Sequence, residues 1–205
     1  MRSDGLVIRP LSHSVLPWHP MASPTVLVLA SGRGERFLAS GGKGSKLQAL
    51  LAGKPVIEHT LAAVRASGLP FHVEAAGHPG MGDSIAAGVR ATADARGWLV
   101  LPADLPLLRP ESLRAVAAAL QRASIVLPFH QGTRGHPVGF APEHGPALMA
   151  LTGAEGAAAI VRTAQPLKLE LEDEGIVTDI DTVEDLTRAE RLFNRRRRRQ
   201  GEEGS

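Results

Sequence analysis

The chain of 205 residues contains no cysteine, and this absence removes several functional classes at once. Disulfide bonds, zinc sites built on thiolates and cysteine nucleophiles are all excluded. A chain without disulfides suits a reducing compartment, so we expect a cytoplasmic protein.

Long apolar runs and aromatic side chains are also scarce. No apolar stretch reaches the roughly 18 residues that a membrane-spanning helix needs, so no membrane contact is expected. Aromatic residues make up only 3% of the chain and do not alternate with basic ones. Surfaces that stack nucleic-acid bases depend on such residues, and nucleic acid is therefore not expected as a partner.

The formal net charge of +2 depends on one segment, the five arginines at 195–199. An arginine run can bind nucleic acid or an anionic membrane. It can equally form the solvated end of a helix, because cations are favoured at a helix C-terminus. We interpret residues 195–205 in the second way, as a basic and then disordered tail.

The length suits one α/β domain. Residues 1–20 contain prolines and histidines without hydrophobic periodicity, and we interpret them as a disordered extension or a misassigned start. The folded domain is predicted to span residues 21–194.

Within that domain, strand-like and helix-like apolar patterns alternate. The predicted strands cover residues 26–30, 72–75, 98–102, 124–128, 167–171 and 176–180. The predicted helices cover residues 56–66 and 83–92, a segment that begins near Pro110, residues 146–150 and 156–164, and a last helix after Thr182. This order predicts an α/β fold, a Rossmann-like three-layer sandwich with a mostly parallel sheet and helices on both faces. Ligands in such folds bind at the carboxyl ends of the strands.

The first candidate site is the Gly/Ser-rich loop at residues 31–45, after the first strand. Its glycines allow backbone N–H groups to approach an anion, and Arg33, Arg36 and Lys46 add positive charge. The loop lacks the Gly-Lys-Ser/Thr of a Walker A motif, and Phe37 stands after Gly34 where a dinucleotide fingerprint needs its third glycine. These residues alone are compatible both with a loop that binds a triphosphate and with an ordinary surface loop.

Carboxylates form the second candidate site. Asp104 follows a buried strand, where it could hold Mg²⁺ against phosphate oxygens. Asp179 and Asp181 stand two residues apart at a predicted strand end, which would place both on one side. An ordinary turn or cap role is the alternative, and the segment from Thr182 to Asp185 resembles a capping box.

Two further segments could have either a binding role or a structural role. Free N–H groups at Gly80-Met-Gly-Asp-Ser84 could hold a base, ribose or phosphate, or Asp83 or Ser84 could simply cap a helix. The glycine and proline around His136 predict a shaped loop rather than a core position. No second histidine has the spacing of a zinc ligand, and no Ser-His-Asp triad is indicated.

Taken in order, these segments resemble the MobA-like nucleotidyltransferase family, most closely its molybdenum cofactor cytidylyltransferase branch. The resemblance covers about residues 25–192. It rests on Leu29-Ala-Ser-Gly32, Arg36 and Lys46, Gly80-Met-Gly-Asp-Ser-Ile85, Leu101-Pro-Ala-Asp104-Leu-Pro, Gly135-His-Pro-Val and Asp179-Ile-Asp-Thr.

The resemblance implies transfer of CMP from CTP to molybdopterin, with loss of pyrophosphate and with Mg²⁺ as cofactor. It implies catalytic roles for Arg36, Lys46 and Asp104, the first two stabilising the leaving pyrophosphate, and metal ligation by Asp104, Asp181 and Asp179. The implied nucleotide-binding residues are Leu29, Ala30, Ser31, Gly32, Lys46, Gly80, Met81 and Ser84. The implied acceptor loop is Gly135, His136 and Pro137.

The chain departs from the family pattern at three places: Ser31 replaces an alanine, residues 38–45 form an insertion, and little chain precedes Gly80. Relatives usually have another strand and helix there, so the sheet is expected to lack an element on the acceptor side. Another phosphorylated acceptor, such as a sugar or alcohol phosphate, is therefore an alternative to molybdopterin, and other NTPs are alternatives to CTP. A nucleotide-binding accessory protein without catalysis is the alternative of another class.

Overall fold

The computed structural model describes residues 23–202, with side chains to residue 199. The extension expected at residues 1–20 lies outside that range. The strands are β1 (Thr25–Leu29), β2 (Leu50–Leu51), β3 (Lys54–Pro55), β4 (Phe71–Glu74), β5 (Trp98–Pro102), β6 (Ile125–His130), β7 (Thr133–Arg134), β8 (Val138–Phe140) and β9 (Leu167–Glu170). The helices are α1 (Glu35–Ala39), α2 (Val56–Ser67), α3 (Met81–Ala91), α4 (Pro110–Ala119), α5 (Gly145–Met149), α6 (Ala158–Thr163) and α7 (Val183–Glu202).

The main sheet is mostly parallel, as the alternating pattern predicts. Its order is β4-β1-β5-β8-β6-β7, and β9 pairs in parallel with β6. Strand β1 lies between parallel neighbours, with Val26 opposite Phe71 and Leu99. Strand β8 runs antiparallel between β5 and β6.

Strand β4 is the edge of this sheet in the described part of the chain. Only a short connection leads from Glu74 to α3, which begins at Met81. Between Glu74 and Met81 the chain forms no further strand or helix, as the short sequence before Gly80 indicates.

Helices cover both faces of the sheet because side chains of the buried strands alternate between the two faces. Val26 and Val28 of β1 pack with apolar residues of α2 and α4, whereas Leu27 packs with those of α3, α5 and α6. A third cluster joins Phe37 of α1 to Ile180 and Leu192 at the C-terminal part of the chain. The three-layer α/β prediction is confirmed.

Three local predictions are wrong. Residues 176–180 do not form a strand, because a 3-10 helix covers Glu174–Val177. Asp173 caps this helix, and its carboxylate accepts a hydrogen bond from Gly175 N–H. The predicted loop at 31–45 contains α1, whose Phe37 is buried. Strand β8 was not expected, since three residues between two larger strands are too few to produce an alternation.

The arginine run is bound to the domain at one point. Helix α7 continues to Glu202, into the segment where disorder was expected. Arg196 donates hydrogen bonds to Leu107 O and to Oδ1 of Asp173, a carboxylate that is 3% exposed. Asp173 also accepts from Ser112 Oγ and Arg109 N–H. Arg196 is therefore part of the fold, whereas the sequence predicted a solvated tail from residue 195.

Among residues 23–202, no helix is both long and apolar enough to cross a membrane.

Candidate active site

The loop that follows β1 turns away from the sheet at a glycine and places cations beside its carboxyl edge. Gly34 has φ 64°, a left-handed conformation that favours glycine, and stands directly before α1. At the end of the insertion, Ser45 accepts a hydrogen bond from Leu47 N–H and begins a 3-10 turn that carries Lys46. Buried Leu47 packs in the core and fixes the direction of the neighbouring Lys46.

Lys46 is the centre of an ion cluster that joins three distant segments. Its Nζ lies 2.6 Å from Oδ2 of Asp104 and 2.7 Å from Oδ1 of Asp181. Arg36 donates to the other oxygen of Asp181 at 2.7 Å. Lys46 and Asp104 are nearly buried, with side chains 12% and 11% exposed, whereas Arg36 is 80% exposed.

Lys46 and Asp181 stabilise each other's charged forms. Burial alone would lower the pKa of Lys46, but Asp104 and Asp181 outweigh burial and raise it. Burial alone would raise the pKa of Asp181, but hydrogen bonding and charge from Lys46, together with Arg36, lower it. Cations gathered in one loop are expected to lack partners until an anion binds, but Lys46 and Arg36 already bind carboxylates.

Within the described residues, one oxygen of Asp104 has no partner. Its Oδ1 is buried and has no hydrogen-bond partner, while Oδ2 binds Lys46. An orphaned buried carboxylate oxygen is costly unless a ligand satisfies it. A hard divalent cation fits this donor, because such ions prefer carboxylate oxygens.

The three expected metal carboxylates do not form one preformed ion site within the described residues. No group of three or more acidic or histidine side chains in residues 23–202 lies close enough to hold one ion. The assignment of Asp179 as a third metal ligand stays a prediction. Burial raises the pKa of Asp179, and the charges of Asp104 and Asp181 raise it further.

Helix capping does not explain Asp181. Thr182 and Asp185 form the predicted capping box, with Asp185 Oδ2 accepting from Thr182 N–H at 2.9 Å and Thr182 Oγ1 accepting from Asp185 N–H at 3.1 Å. The side chain of Asp181 is thereby left to Lys46 and Arg36. Ile180 N–H donates to Asp104 O at 3.0 Å, which keeps this segment beside the end of β5.

A cavity of about 320 Å³ opens beside Lys46 and Asp104. Most of the residues that the resemblance implies for the nucleotide line it: Leu29, Ser31, Gly32, Lys46, Gly80, Met81 and Ser84. Ala30 does not line it. A second cavity, of about 240 Å³, contains Arg36, Lys46 and Asp181 together with Gly32 and Gly34. The two share Lys46, so the charged end of the site faces both.

The glycines at the start of α3 have a packing role. A Cβ on Gly80 would lie 2.3 Å from the carbonyl of Gly153, and one on Gly82 would lie 2.7 Å from Thr152 O. Neither Asp83 nor Ser84 caps this helix, because Asp83 accepts from Gly153 N–H and Ser84 donates to Gly80 O. Ser84 also lies 2.6 Å from Ser31 Oγ, which connects α3 to the loop after β1.

The predicted acceptor loop lies at the same sheet edge as Asp104. Gly135, His136 and Pro137 connect β7 to β8, whose Val138 is opposite Val100 of β5. Backbone contact holds the loop, since His136 N–H donates to Ile176 O at 2.9 Å and a Cβ on Gly135 would lie 2.5 Å from that oxygen. Burial lowers the pKa of His136 to about 4, so its ring is neutral at pH 7.

One charged group beside the cavity was missed by the sequence analysis. Glu74, at the end of β4, accepts from Ala76 N–H at 3.0 Å and lies 3.1 Å from His78 Nε2. Burial alone would raise the pKa of Glu74, but the hydrogen bonds from Ala76 and His78 and the nearby ring of His72 lower it. His78 lines the larger cavity. The alternation of His72 and Glu74 in a weak strand gave no signal for this contact, which depends on the turn to His78.

Comparisons with known proteins agree with this arrangement. The model of the family described as MobA-like NTP transferase domain matches residues 26–170. No curated protein matches the chain. Among solved structures, the complex of Rv0371C from Mycobacterium tuberculosis H37Rv with manganese is 20% identical, with a TM-score of 0.64 over 81% of this chain and 97% of that chain.

Two further structures have the same fold. Molybdopterin-guanine dinucleotide biosynthesis protein A from Archaeoglobus fulgidus is 21% identical, with a TM-score of 0.62 over 83% of this chain and 99% of that one. The 4-diphosphocytidyl-2C-methyl-D-erythritol synthase from Anaerococcus prevotii is 12% identical, with a TM-score of 0.64 over 85% and 99%. At these identities the likeness shows the fold alone.

Proposed function

Because the chain belongs to the MobA-like NTP transferase family and is a nucleotidyltransferase of that family, we propose that it transfers CMP from CTP to a phosphorylated acceptor of the molybdopterin type. The observation that carries the proposal is Lys46, held between Asp104 and Asp181 at the mouth of a cavity of about 320 Å³. A cation between two carboxylates, beside one unsatisfied carboxylate oxygen, suits a triphosphate and its metal ion.

In the proposed reaction, an acceptor phosphate oxygen attacks the α-phosphorus of CTP and the bond to the pyrophosphate oxygen breaks. The acceptor oxygen is already ionised at neutral pH, so the site needs no strong base. Positioning and charge neutralisation then supply most of the rate enhancement. Lys46 and Arg36, which Asp104 and Asp181 hold at the site, neutralise the charge of the leaving pyrophosphate.

Asp104 and Asp181 are the residues that would hold Mg²⁺. When bound, such an ion polarises the phosphoryl oxygens and stabilises the charge that develops on them. The free Oδ1 of Asp104 supports this assignment, and a related fold has been solved with manganese.

The choice of CTP rests on the loop after β1. Ser31 stands where a smaller residue would let the backbone approach a large base, and its hydroxyl lies 2.6 Å from that of Ser84 across the cavity wall. A narrow site with polar groups on its wall favours a pyrimidine over guanine, because a wrong base leaves buried polar groups without partners. The two structural relatives carry names that refer to guanine and to cytidyl products, so the fold itself does not decide the base.

The acceptor is proposed to contact the loop of Gly135, His136 and Pro137. That loop lies beside the end of β5, and the neutral ring of His136 adds no charge there. A sugar or alcohol phosphate is the alternative acceptor.

The test is pyrophosphate release with each of the four NTPs and Mg²⁺, with no acceptor, with molybdopterin, or with a sugar or alcohol phosphate. We expect molybdopterin-dependent release of pyrophosphate from CTP. In a competition at equal concentrations of CTP and GTP, we expect CMP to be incorporated in preference to GMP. Preferential incorporation of GMP would reject the choice of base. Release that requires a sugar phosphate instead would reject the acceptor, and no release with any NTP and any of these acceptors would favour an accessory protein.

A further inference from the structure

The histidine on the wall of the larger cavity is held by a buried carboxylate. Glu74 is 9% exposed, and its carboxylate accepts hydrogen bonds from Ala76 N–H and from Nε2 of His78. A second histidine, His72, lies 3.5 Å from the other oxygen of Glu74. Of these two rings, that of His78 lines the cavity.

The contact with Glu74 defines what His78 can offer to a ligand. A carboxylate accepts hydrogen bonds, so Nε2 of His78 carries the proton that it donates to Glu74. In the neutral ring, the remaining nitrogen, Nδ1, is then an acceptor. Within the described residues, Glu74 is the one hydrogen-bond partner of this ring.

The surroundings suit a base rather than a phosphate. Phosphates are drawn to Lys46 and Arg36, on the side where the two cavities meet. The wall near His78 consists of Pro79, Gly80 and Met81, which carry no charge, and the carboxylate of Glu74 behind it repels anions.

We infer that His78, oriented by Glu74, accepts a hydrogen bond at Nδ1 from the exocyclic amino group of the nucleotide base. This inference rests on the proposed function, and it adds a specificity residue that the motifs do not include. Cytosine carries an amino group at the position where uracil carries a carbonyl oxygen. An acceptor on the protein therefore distinguishes two pyrimidines of equal size.

The experiment measures equilibrium binding of CTP and UTP with Mg²⁺ at pH 8 by titration calorimetry, without any acceptor. Two variants form a matched pair. His78→Asn places an amide oxygen near the position of Nδ1, whereas His78→Gln places its amide near Nε2 and leaves no acceptor at Nδ1. His72→Gln is the control, because His72 contacts the same carboxylate and does not line the cavity.

We expect the wild type, His72→Gln and His78→Asn to bind CTP more tightly than UTP. His78→Gln should lose about tenfold in CTP affinity, the scale of one hydrogen bond, and should bind UTP as the wild type does. Unchanged UTP binding also shows that the variant is folded.

A wild-type preference for CTP that survives in His78→Gln would overturn the inference, as would equal binding of CTP and UTP by the wild type. In either case nucleotidyl transfer by the wild type would still stand. Failure of the wild type to bind any nucleotide would remove the proposed function together with the inference.

Discussion

The amine of Lys46 lies 2.6 Å from Oδ2 of Asp104, although the two residues are 58 positions apart in the chain. Lys46 comes from the end of the loop after β1, and Asp104 comes from the end of β5, the neighbouring strand. The two strands are parallel, so both residues reach the same edge of the sheet. The ion pair holds the cation in place before a ligand arrives and limits the reorganisation that binding requires.

Replacing Lys46 tests whether this amine binds the nucleotide. Lys46→Ala should weaken nucleotide use by about 1.5–3 kcal/mol, the scale of a charge-assisted hydrogen bond, because the triphosphate loses a cation. Kinetics with nucleotide and acceptor varied separately should show the effect in KM for the nucleotide. Lys43→Ala is the control, since Lys43 is an exposed lysine of the same loop. An effect confined to the acceptor KM would show that Lys46 has been assigned to the wrong substrate.

Replacing Arg196 tests whether the arginine run belongs to the fold. Arg196→Ala should lower the free energy of unfolding by about 1–3 kcal/mol, because the buried carboxylate of Asp173 loses a charged donor. Arg197→Ala should change it by less than about 0.5 kcal/mol, as for most exposed surface sites. Urea denaturation measures both. Equal effects of the two variants would show that Arg196 does not stabilise the fold and that the whole run is a solvated tail.

The stability of the protein should depend on pH through His136. Burial, followed by the charge of Arg134, lowers the pKa of this ring to about 4, whereas an unfolded histidine has a pKa of about 6.5. The unfolded chain therefore takes up a proton first as pH falls, and the contribution of His136 to stability is lost between about pH 6.5 and pH 4. It is fully present above that window.

His136→Gln removes this titration. We expect the free energy of unfolding of the variant, from urea denaturation at a series of pH values, to fall less steeply than that of the wild type across the window. Parallel curves for the two proteins would show that the ring does not titrate abnormally in the folded state.

Much of the fold follows from local patterns in the sequence. Strands β1 and β5 are short apolar runs buried on both sides, and their bounds differ from the predicted ones by no more than one residue. The glycine-rich loop, Asp104 and Asp181 were expected at one edge because parallel strands place their carboxyl ends together. The structure brings these residues to one cluster around Lys46.

The remainder depends on contacts between distant segments. The Ile176–Ile180 run has the apolar pattern of a strand, yet its first residues belong to the 3-10 helix that Asp173 caps. Only glycine fits at position 175, because a Cβ there would lie 2.0 Å from Leu107 O. The glycines at 80 and 82 also have a packing role that the motif does not indicate, since they admit the backbone of residues 152–154. No spacing in the sequence indicates that Glu74 binds His78 or that Arg196 reaches Asp173.

The central claim is that the site transfers a nucleotide by attack at the α-phosphorus with Asp104 as a metal ligand. The direct measurement follows CTP labelled at the α- or the γ-phosphate, with Mg²⁺ and molybdopterin, in the wild type and in Asp104→Asn, which preserves the size of the side chain. We predict that the α-label enters the acceptor product and that the γ-label leaves as pyrophosphate. In Asp104→Asn the rate should fall at least about 100-fold while the melting temperature stays close to that of the wild type. Release of the γ-label as orthophosphate, or near-wild-type transfer by Asp104→Asn, would contradict the account.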